Sequence, residues 1–321
     1  MRRLGIIGGE THIGEVTALG GKRLDIRGAC AASEAARANL EALGCPILPS
    51  IDELLATGLD IVAVADANDA RAEAVIPALE YGCDVIVDKP LCLAPDEQDR
   101  IETLLAENSE RRLLMLLTLR GEPTYVGLRD VVQAGRIGAP VFTHIRMAVR
   151  LKREERPAWF LDSRRSGGLF LDLLIHGLDY LEWMTGRQVV SITASTGNLG
   201  NPDDDAIRDH ASVYCILDDE STALVEGQRM LPDSKGSDYR VQVAGTQGTA
   251  DLDLVANTVK VTDPAGADTA ISLPTERISV VSDWLDNGDR IPQDACLRAN
   301  RLALAATAAA DSGEIMRVHT S

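Results

Sequence analysis

The sequence predicts an α/β protein in which an N-terminal doubly wound parallel sheet precedes a C-terminal α+β domain with a large, mostly antiparallel sheet. Two observations predict this class. Up to residue 119, short apolar runs alternate with helical patterns, which is the rhythm of a parallel sheet wrapped by helices. From residue 120 onward, strand patterns predominate in which apolar and polar residues alternate, as in strands with one buried face. With 321 residues available, we expect two domains, 1–119 and 120–321.

Five apolar runs of the first domain are predicted strands because each is short and bounded by turn residues. They are residues 4–8, 25–30, 60–65, 84–88 and 113–118. The segments between them with helical spacing are residues 35–43, 51–56, 72–81 and 96–107. Gly44, Gly58 and Gly82 follow three of these segments, and a glycine directly after the last turn is a frequent helix stop.

The second domain begins with a predicted helix at residues 125–135 and a long alternating strand at 141–149. Further strand patterns cover residues 189–195, 210–217, 222–229, 240–244, 250–255, 258–262 and 269–273. An alanine-rich segment at 295–310 is the last predicted helix. Helices on one side of such a sheet would cover one of its faces.

Residues 166–186 combine a strongly apolar helix with two polar side chains. Asp172 and His176 are four residues apart, so on a helix their side chains lie on one face. The other positions are apolar almost all round, which predicts burial, and an unpaired charge there would be costly. Two interpretations stay open from this helix alone: a buried Asp–His pair that ties two elements together, or a catalytic pair that lines a cavity.

Composition limits the partners and the compartment. The net charge of -17 and the pI near 4.7 argue against nucleic acid or an anionic membrane as partner. No run approaches the roughly 18 apolar residues of a membrane span, and the apolar start is too short for a signal peptide. The six cysteines show no C-x-x-C spacing, which favours reduced thiols. We therefore expect a cytoplasmic protein whose partner is a small molecule.

A glycine-rich turn follows the first predicted strand, where doubly wound folds can bring phosphates close to the backbone. The turn reads G-G-E-T-H-I-G, from Gly8 to Gly14, and departs from G-x-G-x-x-G. Glu10 stands at the second glycine position, and Gly14 comes one residue late. The Glu10 carboxylate would repel a phosphate unless it points away or His12 offsets it. A tight strand-to-helix connection and a nucleotide cradle both remain open.

The second strand lacks the acidic residue that would bind an adenosine ribose at its end. That end carries Cys30, Ala31, Ala32 and Ser33, while Arg37 lies a turn further on. Neither NAD nor NADP is therefore preferred by this strand end.

Lys89 follows the apolar strand of D-V-I-V-D-K-P and precedes a proline. It is thus expected at the carboxyl end of the sheet, where open α/β folds bind their ligands. A lysine fixed there can hold an alcohol oxygen by a hydrogen bond, although a solvated lysine would have the same pattern.

Six motifs follow one another along nearly the whole chain. They are the glycine turn, D-K-P (88–90), L-R-G-E-P (119–123), R-P-A-W-F-L-D (156–162), S-G-G-L-F-L-D-L-L-I-H-G-L-D (166–179) and G-T-Q-G-T (245–249). In this order they resemble the glucose-fructose oxidoreductase/inositol dehydrogenase (Gfo/Idh/MocA) family. The resemblance implies a Rossmann domain and hydride transfer between the nicotinamide of NAD or NADP and a hydroxyl or carbonyl carbon of a sugar, cyclitol or related polyol.

The resemblance also implies roles for individual residues. Lys89 would lie between nicotinamide and substrate, Asp172 would hold the substrate, and His176 would accept the hydroxyl proton as hydride leaves the carbon. An imidazole is suited to general-base work at neutral pH, and a carboxylate one turn away can orient it. Trp159 could stack against a sugar ring or belong to the core. The residues expected at the cofactor are Gly8, Gly9, His12, Ile13, Ser33, Asn68, Lys89 and Arg120, and no metal ligand is expected.

The chain departs from the family pattern on the nucleotide side. Asp88 stands for the glutamate of E-K-P, and Thr17 for a histidine after the turn. Ala67 and Arg71 stand for the proline and histidine of T-P-N-x-x-H. The residues implied in the chemistry are retained.

Rival functions stay open. The altered turn favours a nucleotide- or sugar-sensing binding protein without turnover. A metal-dependent hydrolase or isomerase could use Asp172, His176 and Asp179, but the five histidines show no ligand spacing. His144 is a weaker site candidate. The strand at 141–149 also leaves one sheet face that helices need not cover, so we expect self-association. The resemblance implies a homodimer or homotetramer.

Overall fold

The computed structural model of the protein describes residues 1–31 and 33–319 and divides into two compact units. The first contains the described residues up to Leu117, with the segments Arg165–Gly167 and Ser279–Asn300. The second contains Thr118–Arg164, Gly168–Ile278 and the chain from Arg301. Ala32, one of the residues at the predicted second strand end, lies outside the described residues.

The first unit is built on a parallel sheet. Its strands are β1 (Arg2–Gly8), β2 (Leu24–Cys30), β3 (Ile61–Ala65), β4 (Asp84–Val87) and β5 (Leu113–Met115). They lie in the order β2-β1-β3-β4-β5, and a parallel bridge between Ala29 and Ile47 adds one more position beside β2. With that position the order is that of a doubly wound sheet whose direction of winding changes between β1 and β3. The predicted fold class is confirmed for this part.

Five helices connect these strands. They are α1 (Gly14–Thr17), α2 (Glu34–Glu41), α3 (Ile51–Leu55), α4 (Arg71–Glu80) and α5 (Pro95–Glu107). Ser33 and Ser50 begin α2 and α3 by accepting the amides of Ala36 and Glu53, respectively. The four predicted helices agree with α2 to α5 within two residues. The helix after the glycine turn, α1, has only four residues.

The second unit contains a nine-stranded sheet. Its strands are β6 (Pro140–Ala148), β7 (Val189–Gly197), β8 (His210–Leu217), β9 (Thr222–Gln228), β10 (Asp238–Gly245), β11 (Gly248–Asp253), β12 (Thr258–Thr262), β13 (Asp268–Ala270) and β14 (Met316–Arg317). Their order is β13-β12-β11-β10-β6-β9-β8-β7-β14. All neighbours pair antiparallel except β6 and β9, so the predicted, mostly antiparallel sheet is confirmed.

Four helices belong to the chain between Pro123 and Thr185. They are α6 (Pro123–Gln133), α7 (Ala158–Leu161), α8 (Ser163–Ser166) and α9 (Ile175–Thr185), and a wider π-helical turn over Phe170–Leu174 runs directly into α9. Gly177 lets α9 lie close to the sheet, since a side chain there would meet Val225 Cγ1 at 2.7 Å. The predicted apolar helix is thus present, with its first turn in the π conformation.

The last two helices are α10 (Val280–Leu285) and α11 (Gln293–Ser312). The segment that holds α10 is part of the first unit, in which the Arg112 guanidinium lies 4.1 Å from the Trp284 ring centroid. Gln293 also accepts the amide of Leu113 at the edge strand β5. In the part of the chain that the structure describes, no helix combines the length and hydropathy needed to span a bilayer.

Candidate active site

Asp172 and His176 occupy the polar positions of an otherwise buried segment. From Gly168 to Leu181, every residue is buried except these two, which are half-buried. Asp172 lies in the π-helical turn and His176 in the first turn of α9. Single π-helical turns within helices occur frequently at functional sites. The segment therefore keeps these two side chains accessible while its other side chains pack into the core.

Asp172 is paired with a buried arginine from the sheet. Arg229, directly after β9, donates from Nη2 to Asp172 Oδ2, and its side chain is 4% exposed. Its guanidinium also lies 4.4 Å from the centroid of the Phe160 ring. Burial and the charge of Asp172 raise the pKa of Tyr239 to about 12, so that phenol stays neutral. Asp172 is thus the carboxylate of a small buried network of charged and aromatic groups.

Arg120 and Asp179 form a second buried ion pair in the second unit. Arg120 donates to both carboxylate oxygens of Asp179, from Nε at 3.0 Å and from Nη2 at 2.6 Å. The two side chains are 7% and 3% exposed. Arg120 was expected at the cofactor and Asp179 in a metal-site alternative, but the structure shows each as the other's partner.

Trp159 and His144, the two other candidates in the second unit, each lie near another side chain. Trp159 is buried, and its ring meets that of Phe160 edge-to-face at 5.8 Å. His144 lies on the sheet with Nε2 3.3 Å from Glu226 Oε1. Among residues 1–31 and 33–319, no group of three or more His, Cys, Asp and Glu side chains is arranged to hold a metal ion.

In the first unit, Lys89 is the second residue after β4, at the carboxyl end of the sheet, as predicted. It is buried, and its amide donates to Asp88 Oδ1. Burial alone would raise the pKa of Asp88, but the Arg71 charge and a hydrogen bond from His12 hold the pKa of that carboxyl well below its usual range. Asp88 is therefore a permanent anion beside Lys89.

The glycine turn folds over the end of β3. Gly8 has φ +78°, and a side chain there would come within 2.4 Å of the Asp66 backbone, so only glycine fits. The amides of Glu10 and Thr11 both donate to Ala65 O, at 2.9 and 3.1 Å. The amide and Nδ1 of His12 each lie 3.2 Å from Asp88 Oδ2. Three consecutive amides of the lengthened turn are thus bonded within the protein.

Arg71 is the centre of this arrangement and is fully buried. Its guanidinium donates to Thr11 Oγ1, to the carbonyls of Asp66, Asp88 and Pro90, and more weakly to Asp88 Oδ2. It therefore fastens the glycine turn to the ends of β3 and β4.

The remaining residues expected at the cofactor lie at the same edge of the sheet. Ser33 caps α2, and Asn39 of α2 donates to Gly9 O at 2.9 Å. Asn68 is buried and donates to Ser166 O at 2.7 Å. Ile13 immediately precedes α1. The structure thus brings Gly8, Gly9, His12, Asn68 and Lys89 to the carboxyl ends of β1, β3 and β4.

These residues fit a dinucleotide, but the turn offers its phosphates fewer backbone N–H donors than a turn with the G-x-G-x-x-G pattern does. Within the described chain, the amides of Ile13 and Gly14 have no protein acceptor, and a side chain added at Gly14 would meet no atom within 4 Å. They are the donors left for a phosphate. The carboxylates of Glu10 and Asp66 would oppose the binding of a phosphate. Burial raises the pKa of Asp66, and the charge of Glu10 raises that pKa further. Glu10 and Asp66 are therefore close enough to interact.

The parallel doubly wound sheet, its glycine turn and a lysine at the strand end define the class of NAD(P)-binding oxidoreductases. Two models of one family match the chain: an oxidoreductase family with an NAD-binding Rossmann fold over residues 2–115, and the Gfo/Idh/MocA C-terminal domain over residues 125–251. The chain belongs to the Gfo/Idh/MocA family. The predicted resemblance, the oxidoreductase class and the use of NAD or NADP are confirmed by this match.

Individual relatives agree with this assignment. The chain is 28% identical over 244 residues to a myo-inositol dehydrogenase from Streptomyces leeuwenhoekii, with 73% of each chain covered. It is 27% identical over 194 residues to a scyllo-inositol 2-dehydrogenase (NAD(+)) from Bacillus subtilis, which covers 60% of this chain and 54% of that relative. A myo-inositol 2-dehydrogenase structure from Lactobacillus plantarum has the same fold, with a TM-score of 0.80, 22% identity and 99% of both chains covered.

Sequence reasoning missed Arg229 and underestimated Arg71. In β9 the buried positions are Ala223, Val225 and Gly227, so Arg229 continues the inward-facing series. An arginine on the apolar side of an alternating strand is the signal that could have revealed it. Arg71 appeared only as a departure from a motif, because no pattern along the chain indicates its four distant acceptor residues.

The Glu10 carboxylate gives a first testable prediction. Glu10→Gln removes a negative charge near the phosphate position, and the dissociation constant for NADH is expected to fall about three- to tenfold, on the order of 1 kcal/mol. Titration followed by nicotinamide fluorescence measures it. Glu41→Gln, an exposed change on the same unit, is the control and should have no effect. Unchanged or weaker binding in Glu10→Gln would contradict the electrostatic argument.

Proposed function

We propose that the protein is an NAD(P)-dependent dehydrogenase or reductase that acts on a CH–OH carbon of a sugar, cyclitol or related polyol. One observation carries the proposal: Asp172 and His176 are the two accessible positions in a helical segment that is otherwise buried. A polar pair with a purely structural role would be enclosed with the rest of the segment. The relatives named as inositol dehydrogenases support the substrate class.

Three residues are proposed to carry the chemistry. When bound, the nicotinamide accepts or returns the hydride. His176 takes the proton of the substrate hydroxyl during oxidation and gives it back during reduction. Asp172, held by Arg229, fixes the substrate by accepting a hydrogen bond from a hydroxyl group. Lys89 donates to the oxygen of the reacting carbon and stabilises the charge that develops there.

A steady-state screen tests this function. The purified protein is assayed with NAD and with NADP against inositols, aldoses, alditols and their oxidised forms, and nicotinamide absorbance is followed. Turnover of at least one CH–OH compound is expected. A folded protein that binds the nucleotide but turns over no member of the panel would contradict the proposal.

A binding protein without turnover is the second candidate. The amides of Glu10, Thr11 and His12 favour this candidate, because they already have acceptors within the protein and do not donate to a pyrophosphate. Nucleotide or sugar binding in the absence of turnover across the whole panel would identify this function.

We also propose that a second copy of the chain covers the outer face of the sheet in the second unit. Phe142 pairs across Thr222 with Ile216, and His144 pairs across Leu224 with Tyr214. Phe142, Tyr214 and Ile216 are 40%, 44% and 37% exposed. An apolar patch on three adjacent strands is typical of an interface.

The patch predicts a homodimer or homotetramer that weakens when the patch becomes charged. Tyr214→Glu is expected to shift the protein toward the monomer, whereas Tyr81→Glu, at an exposed tyrosine of the first unit, serves as the matched control. Light scattering at micromolar concentration measures the mass. A monomeric wild type would contradict the proposal.

Free cysteines throughout the described chain and a net charge of -17 support a cytoplasmic protein without a nucleic-acid or membrane partner.

A further inference from the structure

Arg229 has hydrogen-bonding capacity that the described residues do not use. A guanidinium has five N–H donors, and over residues 1–31 and 33–319 the only side-chain acceptor of Arg229 is Asp172 Oδ2. The side chain is 4% exposed, and burial lowers its pKa. None of its side-chain nitrogen atoms is both shielded from solvent and without a hydrogen-bond partner. The unused donors are therefore reachable, beside the proposed catalytic carboxylate.

A second guanidinium adds a positive charge to this place. Arg156 lies 4.1 Å from the centroid of the Phe160 ring, and Arg229 lies 4.4 Å from the same centroid. Their mutual repulsion contributes to lowering the pKa of Arg229. Two arginines thus lie around one ring, and Asp172 is the carboxylate paired with one of them.

Neighbouring basic residues do not contribute in the same way. Lys152 pairs with Glu155, and Arg153 pairs with Asp204 at 2.8 Å. Arg156 is exposed, forms no ion pair with a described residue, and its one hydrogen bond is a long contact of 3.4 Å to Leu151 O. Arg156 is therefore a cation of this loop that is available to an anion.

We propose that the substrate is a sugar or polyol that carries a carboxylate, such as an aldonate or a uronate, and that Arg229 and Arg156 bind that carboxylate. The proposal rests on the proposed function and specifies its substrate class. The planar fork of arginine matches a carboxylate with two parallel hydrogen bonds. A monoanion is also favoured over a phosphate dianion, because the Asp172 carboxylate beside Arg229 would repel the dianion more strongly.

Calorimetric titration with matched pairs of compounds tests the proposal. The probes are D-gluconate against D-glucitol, D-glucuronate against D-glucose, and D-galacturonate against D-galactose, at constant ionic strength and with NADH present. At least one acid is expected to bind about tenfold or more tightly than its neutral partner. Arg156→Gln should remove most of this preference, whereas Arg153→Gln, on the same loop, should retain it.

Arg229→Lys separates recognition from charge. Lysine can still pair with Asp172 but lacks the fork, so the affinity for the acid should fall by a larger factor than that for the neutral compound. Equal binding of acids and neutral compounds, an unchanged preference in both Arg156→Gln and Arg229→Lys, or tighter binding of D-glucose 6-phosphate than of every acid would each overturn the proposal.

The two proposals fail in different ways. Oxidation of neutral polyols as efficient as that of the acids would overturn the carboxylate preference and leave the proposed function standing. Arginine-dependent binding of an acid without any NAD or NADP reduction would support the recognition site and contradict the dehydrogenase function.

Discussion

Replacement of His176 with asparagine is expected to lower kcat by roughly 10²- to 10⁴-fold, the usual contribution of a general acid–base group. Asparagine has a similar size and keeps a hydrogen-bonding amide, but it cannot take up a proton at neutral pH. The half-buried position of His176 should tolerate it without loss of fold. The affinity for NADH should remain unchanged, because that binding depends on residues of the first unit.

His210→Asn is the matched control for this experiment. His210 is exposed on β8 and bonded to Asp209, so its replacement should leave kcat within a factor of about two. Steady-state rates for both variants, together with fluorescence titration of NADH, give the comparison. A kcat for His176→Asn within tenfold of the wild type would refute a general-base role for this histidine.

The largest effect on stability is expected from Asp179→Ala. The change leaves the Arg120 guanidinium buried without the carboxylate that accepts two of its hydrogen bonds. Removing one partner of a buried ion pair costs about 3–5 kcal/mol in the free energy of unfolding, because the remaining charge stays desolvated. Urea denaturation at equilibrium measures this difference.

Two further variants test whether the loss of stability in Asp179→Ala comes from the buried, unpaired charge. In the double variant Arg120→Leu with Asp179→Leu, no charge remains to be desolvated, and most of the lost stability should return. Asp268→Ala breaks an exposed pair with Lys260 and should change stability very little. An Asp179→Ala protein as stable as Asp268→Ala would show that the buried pair contributes nothing.

Much of the first unit was predictable because its signals are local. The parallel strands are short apolar runs, and Ser33, Gly44 and Gly58 mark where helices begin or end. In the second unit, the alternation in β6 and β8 identifies the buried face directly. Such elements depend on residues that are neighbours in the sequence, so the pattern alone identifies them.

The details of the site were less predictable because they depend on distant contacts. Asp172 and His176 stood out as polar residues in an apolar helix, but the π-helical turn and the pairing with Arg229 involve other parts of the chain. The glycine turn looked damaged by one extra residue. The structure shows instead an ordered turn whose amides have acceptors 54 or more residues away, at Ala65 and Asp88.

The Arg71 network couples the residues of the glycine turn to those at the ends of β3 and β4. The longer turn, Arg71 and Asp88 each depart from the family pattern, and each contacts the others through Thr11 and His12. Residues that share one buried network do not act additively. Changing one of them alone to the residue of the family pattern would therefore leave a buried partner unmatched, so the effects of these substitutions on stability are expected to be epistatic.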